Sequence, residues 1–173
     1  MNQSEIIQRL QSEHNAFTDF IASLSETDLY QALPGKWNAV QQLRHVYLCL
    51  RPIKLAASLP RFLPLLLFGS AKKASSSYDA LVQAYQEKLR QGGKAPFMYV
   101  PGNTKADTEK SIQALKDLVN NLCVRVASYD EAALDRIVLP HPLLGKLTMR
   151  ELLYFAIYHV GHHQQQCKVG LEL

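Results

Sequence analysis

Cysteine is scarce in this chain: three residues in 173, at positions 49, 123 and 167, with no CxxC pair among them. An odd number so widely spaced excludes a disulfide framework and a cysteine-built zinc site, and fits reduced thiols in a cytoplasmic protein. Long hydrophobic runs are missing too. The richest apolar cluster, 59–68, holds Pro60, Pro64 and Arg61 and cannot span a bilayer. Basic clusters are absent as well. The formal net charge is +4, yet Lys72-Lys73 is the only adjacent basic pair, and no helix-turn-helix or basic-aromatic platform accompanies it. Neither nucleic acid nor membrane is therefore an expected partner. The segment Met1–Glu5 lacks the basic and apolar regions of a secretory leader. No run alternates as a strand would, no repeat recurs, and the eight prolines fall in interruptions and not in one tract. The expectation is one domain over 1–173.

What the chain does have is helical periodicity. With 47% apolar and 20% charged residues it can bury a core without cross-links. Ile6, Leu10, Phe17, Phe20 and Ile21 recur at three- and four-residue steps over about 4–23, with Ser4 as the expected cap. A second helix opens at Asn38, which with Gln41 forms a capping box; Pro52 is expected to kink it or to begin a new piece. The proline-broken 59–69 reads as short helical pieces, and a helix over 78–90 stops at Gly92-Gly93. The segment 94–103 is a loop whose Phe97 and Tyr99 tuck against the body of the protein. Another helix starts at Thr104 or Asp107 and runs to about Ser128. Residues 139–147 form a connector in which Pro140 and Pro142 exclude helix. The last helix begins at Thr148, boxed by Glu151 and stapled by Leu147 and Leu152, and runs to about Lys168. The pattern predicts an all-α four-helix bundle with short helical insertions between the second and third core helices.

The chemistry concentrates in the last helix. His159 and His163 lie four residues apart, one turn apart on one face, and Leu152 and Ala156 on that face turn it toward the core. Two imidazoles at this spacing make half a metal site, and His45, well inside the second helix, can meet them across the bundle. Three histidines leave a position open, as catalytic sites do. Val160 stands where a zincin carries the glutamate of HExxH, so no carboxylate base adjoins the pair and no catalytic residue is assigned. The same histidines also suit a plain core cluster. His162 lies about 100° round the helix and faces another surface or a partner chain. His141, between two prolines, reads as a connector residue. His14 reads as a buried core histidine, with an extra ligand or proton carrier as the alternative. Gln166, a turn beyond His163, is a candidate hydrogen-bond partner for it, and Tyr154 and Tyr158 read as packing residues.

Lys36-Trp37-Asn38-Ala39-Val40-Gln41-Gln42-Leu43-Arg44-His45-Val46 resembles the "W-S-x-x-[QE]-x-L-x-H-[LV]" opening of helix two in the DinB/YfiT-like superfamily. His141-Pro142-Leu143-Leu144-Gly145-Lys146-Leu147-Thr148, followed by His159-Val160-Gly161-His162-His163-Gln164, is similar to its "hP-x-x-G-x-L-T … H-x-x-H-H-x-x-Q" ending. Order and spacing agree over nearly the whole chain; Asn38 replaces the commoner Ser or Thr and preserves the cap. The resemblance implies a four-helix bundle whose His45, His159 and His163 bind a divalent metal, zinc or nickel. It implies a small-molecule substrate, with thiol S-transferases using bacillithiol or mycothiol and a maleylpyruvate isomerase among relatives, and it implies a homodimer. Two functions follow as expectations. One is a metal-dependent enzyme activating a low-molecular-weight thiol or water; the other is a non-catalytic metal- or ligand-binding dimeric bundle.

Overall fold

The computed structural model describes residues 1–102 and 107–172. Four long helices form the bundle: α1 (Gln3–Ser23), α3 (Ala39–Ser58), α6 (Thr108–Ala127) and α8 (Met149–Gly170), with α1 and α3 each packed on both α6 and α8. Short α2 (Glu26–Tyr30) and α7 (Glu131–Arg136) serve as connections. The insertion between the second and third core helices comprises α4 (Phe62–Phe68), α5 (Tyr78–Arg90) and a 3₁₀ turn, Phe97–Tyr99. Periodicity alone offered five long helices for four places. Helix α5 takes the outside place because only Leu81 and Tyr85 on it are buried, and it leans on α8.

Local sequence explains the element ends, with two adjustments. The α1 cap is Asn2 and not Ser4, because Glu5 sits at the third helical position only when residue 2 is the cap; the reciprocal bonds are both 2.9 Å. Helix α3 runs through Pro52 to Ser58 with no new start. Burial of Leu50, Ile53, Ala56 and Ala57 around the exposed ring outweighs the one backbone bond that proline forfeits, each large apolar side chain bringing roughly 1.5–3 kcal/mol. The capping boxes at Asn38 and Thr148 are present as expected. Asp107 caps α6; Asn103 and Thr104, the expected loop end and the alternative helix start, lie outside the described residues. Gly92, at φ +86°, ends α5 in a conformation that side chains resist.

The connector before α8 departs from an all-helical reading. Val138–His141 (β1) and Gly145–Thr148 (β2) form an antiparallel ribbon, paired Val138 to Thr148 through His141 to Gly145. Strands of four residues are too short for an alternation signal, and a two-stranded ribbon is all edge, where Pro140 is tolerated. The ribbon and α7 anchor the start of α8. Buried Arg150 donates to Asp135 and Glu131 at 2.6 Å each and to the Met1 carbonyl at 3.0 Å. Glu151, besides closing the cap, accepts from the Ser76 amide at 2.8 Å. Helix α8 is therefore fixed at its base and enclosed by α1, α3 and α5, so its middle is buried nearly all round.

Candidate metal centre

On α3, Gln42, His45, Val46 and Cys49 fall at helical spacing along one stripe, and all but Cys49, which is half-buried, are buried. Facing them on α8 are His159 and His163, also buried. The rings meet: His45 Nε2 lies 3.3 Å from His159 Nε2, and His163 Nε2 lies 2.9 Å from the same atom. The outer nitrogens of two of these rings are engaged. His45 Nδ1–H donates to the Tyr99 carbonyl (2.7 Å), and His163 Nδ1–H donates to Gln42 Oε1 (2.5 Å), while Gln42 Nε2–H donates to the Trp37 carbonyl (3.4 Å). Oxygen acceptors at Nδ1 set the tautomer and leave Nε2 of His45 and His163 as bare lone pairs. Both lone pairs aim at His159 Nε2, which carries at most one hydrogen.

Burial holds His159 and His163 well below the ordinary histidine range, reinforced by neighbouring imidazoles. His45 is lowered by burial too, against the opposing pull of the Tyr99 carbonyl. The three are thus neutral imidazoles, the form that ligates metal. The donor geometry fits a cation: two nitrogens each about 2.0–2.1 Å from a tetrahedral zinc sit about 3.3 Å apart. The half-buried Trp37 ring covers His45 at 4.8 Å between centroids and stacks over His163 at 6.4 Å.

A fourth donor enters that the sequence reading passed over. Cys49 Sγ is 3.5 Å from His45 Nε2, and donor atoms of His45, Cys49 and His159 all lie within 4.8 Å of one another. His163 is not a member of that set and adjoins it at His159, 2.9 Å away. Burial pushes the Cys49 thiol up to about 12, so without a cation it stays protonated. The signal was available: Cys49 follows His45 by four residues, the very spacing that singled out His159 and His163, but a search for paired cysteines overlooks it.

The remaining sequence candidates fall elsewhere. Gln42, and not Gln166, bonds His163, because α3 faces that ring edge. Its removal is testable: Gln42→Leu is expected to weaken metal binding about 10- to 100-fold with the fold intact. Competition against a chromophoric chelator measures this, and an unchanged affinity would remove Gln42 from the site. His141 is a connector residue, its Nδ1 accepting from the Leu143 and Leu144 amides at 3.2 Å each, and its ring packs on Phe155 at 4.4 Å. His162 is half-buried beside Tyr158 and Tyr85. His14 is buried outside the three-ring contact, its Nδ1–H donating to the Leu10 carbonyl at 2.8 Å. Tyr154 and Tyr158 pack and bond away from the three histidines, Tyr154 donating to the Met1 carbonyl and Tyr158 accepting from Gln86. Tyr99 meets the bundle as expected, but Phe97 is 94% exposed; the turn's backbone docks through the Tyr99 carbonyl and leaves Phe97 outside.

A cavity of about 360 Å³ reaches the cluster, with His45, Cys49 and His159 in its wall. Among the described residues no helix is long and apolar enough to cross a membrane.

Comparison with known proteins agrees with this architecture. The fold is similar to TT2238, a four-helix bundle protein, with a TM-score of 0.55 at 17% identity over 96% of this chain and 98% of that one. It is similar also to YfiT from Bacillus subtilis, a probable metal-dependent hydrolase with an unusual four-helix bundle topology, with a TM-score of 0.63 at 15% identity over 98% of this chain and 86% of that one. At these identities the likeness shows the fold alone. No curated protein matches the chain by sequence. The DinB superfamily pattern matches residues 9–167, nearly the whole length, and with the four-helix bundle in place the chain belongs to the DinB superfamily.

Proposed function

We propose that the protein is a metal-dependent enzyme in which His45, His159 and His163 hold one divalent cation, zinc or nickel, and present it to the 360 Å³ cavity. The observation that carries this reading is the approach of His45 Nε2 and His163 Nε2 to His159 Nε2, with the outer nitrogens of His45 and His163 tied to oxygen acceptors. When bound, such a cation lowers the pKa of a coordinated water or thiol and polarises an electrophile. The chain's own residues orient and seal. Gln42 and the Tyr99 carbonyl fix two rings, Trp37 covers one side, and Phe155, 4.6 Å from the His159 ring, excludes water from another.

Water activation is the better-supported chemistry. An anionic low-molecular-weight thiol needs a positive partner for the rest of the molecule beyond the cation, and no Lys or Arg lines the cavity among the described residues. Thiol transfer remains the second reading because Cys49 places a sulfur 3.5 Å from His45 Nε2, so the site tolerates a soft donor there. A non-catalytic metal-binding bundle shares every residue and differs only in turnover.

The experiment is metal analysis of protein purified without a His-tag and exposed to zinc or nickel, then assay of neutral esters and amides with and without added thiol. About one equivalent of metal and metal-dependent turnover are expected. Less than about half an equivalent would remove the metal from the account; full loading without turnover would leave the binding module.

A further inference from the structure

The cavity beside the histidines has an unusual wall for an enzyme of a basic protein. None of the described residues lining it is Asp, Glu, Lys or Arg, although the chain carries 34 such residues in all, 19 basic and 15 acidic. Its sides are aliphatic and proline carbons from α3, α4, the ribbon and α8, such as Ile53, Ala56, Leu139 and Leu152. Polar atoms come mainly from the end where His45, Cys49 and His159 stand, and from Tyr85, Tyr99 and His141. Much of that capacity is already engaged: His45 Nδ1 by the Tyr99 carbonyl, and His141 Nδ1 by two amides. The mouth is no more polar. Leu55 on α3 and Leu67 on α4 line the cavity while remaining 62% and 60% exposed.

In the metal-free protein a charged molecule entering this space would shed its hydration and meet no charged side chain, a large cost. A hydrocarbon body would be favoured by the area it removes from water. The volume, about 360 Å³, is at the small end of the roughly 300–1,000 Å³ typical of small-molecule sites. We infer that the cavity takes a neutral, predominantly hydrocarbon small molecule with a single polar group directed at His45 and His159. The identification of that polar group as the reacting one rests on the metal-enzyme reading; the selection for a neutral apolar body does not. The lining by itself offers no charged side chain to a sugar-linked thiol, a nucleotide or an amino acid.

The test uses metal-free protein and two probes of similar shape, neutral N-phenyl-1-naphthylamine and anionic 8-anilino-1-naphthalenesulfonate, followed by fluorescence. The neutral probe is expected to saturate at one site and to bind at least about tenfold tighter than the sulfonate. Ala56→Phe, which fills the cavity from α3, is expected to abolish that binding. Leu67→Lys, at a largely exposed lining position with little bearing on folding, is expected to weaken the neutral probe and strengthen the sulfonate. Equal or tighter sulfonate binding by the unaltered protein overturns the inference. So does neutral binding unchanged in folded Ala56→Phe, or in Leu67→Lys if Ala56→Phe does not fold, since either places the probe outside the cavity that these two residues line. Metal analysis is read separately, so failure of the cation site and failure of the cavity assignment are distinguishable.

Discussion

His159→Ala is expected to reduce metal affinity by more than about a hundredfold and to remove metal-induced stabilisation altogether. His159 is the hub: its Nε2 is the atom that both His45 and His163 approach, at 3.3 and 2.9 Å. Without it the His45 and His163 rings, 4.5 Å apart between centroids, keep their own contact but lose the nitrogen toward which both Nε2 atoms point. For the unaltered protein, a thousandfold excess of metal over the dissociation constant contributes about 4 kcal/mol, roughly 10 °C in Tm for a chain of this size. The variant should show none of that shift. Its metal-free form should be little less stable than metal-free parent, because the truncation also removes two lone pairs forced against one nitrogen. The competing arrangement makes a different forecast. If His159 Nε2–H donates to His163 and the Cys49 thiol donates to His45, the cluster is satisfied without a cation. The parent then gains nothing from zinc or nickel, and His159→Ala is simply a destabilised core variant. Calorimetric melting of both proteins with and without metal separates the two.

The second large effect concerns acid. His14 is buried, and that burial lowers it from the usual 6.5 to about 4, the Leu10 carbonyl opposing only in part. Between those values the unfolded chain binds a proton at this residue and the folded chain does not. Stability is therefore fully present above about pH 6.5 and is lost as pH falls toward 4, by about 3 kcal/mol from this group at about 1.4 kcal/mol per unit. In His14→Leu that part of the acid dependence should vanish while the rest persists, His141 included, since its burial also brings it to about 4. Urea unfolding of parent and variant at pH 7, 5.5 and 4.5 measures the difference, and parallel profiles would show that His14 titrates normally. The residue shares a small void with Cys49 and His159, which places it against the candidate centre without making it a ligand in this arrangement.

Much of the bundle was legible because its signals are local. Capping boxes at Asn38 and Thr148, the stop at Gly92-Gly93 and the stripe of α6 each depend on residues within one turn of one another. Where the reading fell short, the deciding contact lay far away in sequence. Pro52 looks like a breaker until the buried residues around it are counted. Val138–Thr148 looks like a connector because two four-residue strands carry too few side chains to alternate, and their pairing is visible only once they meet. Phe97 looks like an anchor because it is aromatic, yet the 3₁₀ turn docks through a carbonyl, which no side-chain pattern records.

For the site, the chain alone determined which faces carry imidazole. A four-residue step on a helix is a fixed angle, so His159 and His163 had to share a face, and the apolar residues with them turned it inward. The converse step, from His45 to Cys49, was equally determined and went unread. Only the tertiary structure decided that α3 lies against α8 with His45 level with that pair, that Gln42 rather than Gln166 supplies the outer hydrogen bond, and that the space beside them is lined without charge. Those outcomes depend on the register and rotation of two helices more than a hundred residues apart, which are set by packing of whole faces and not by any short run of residues.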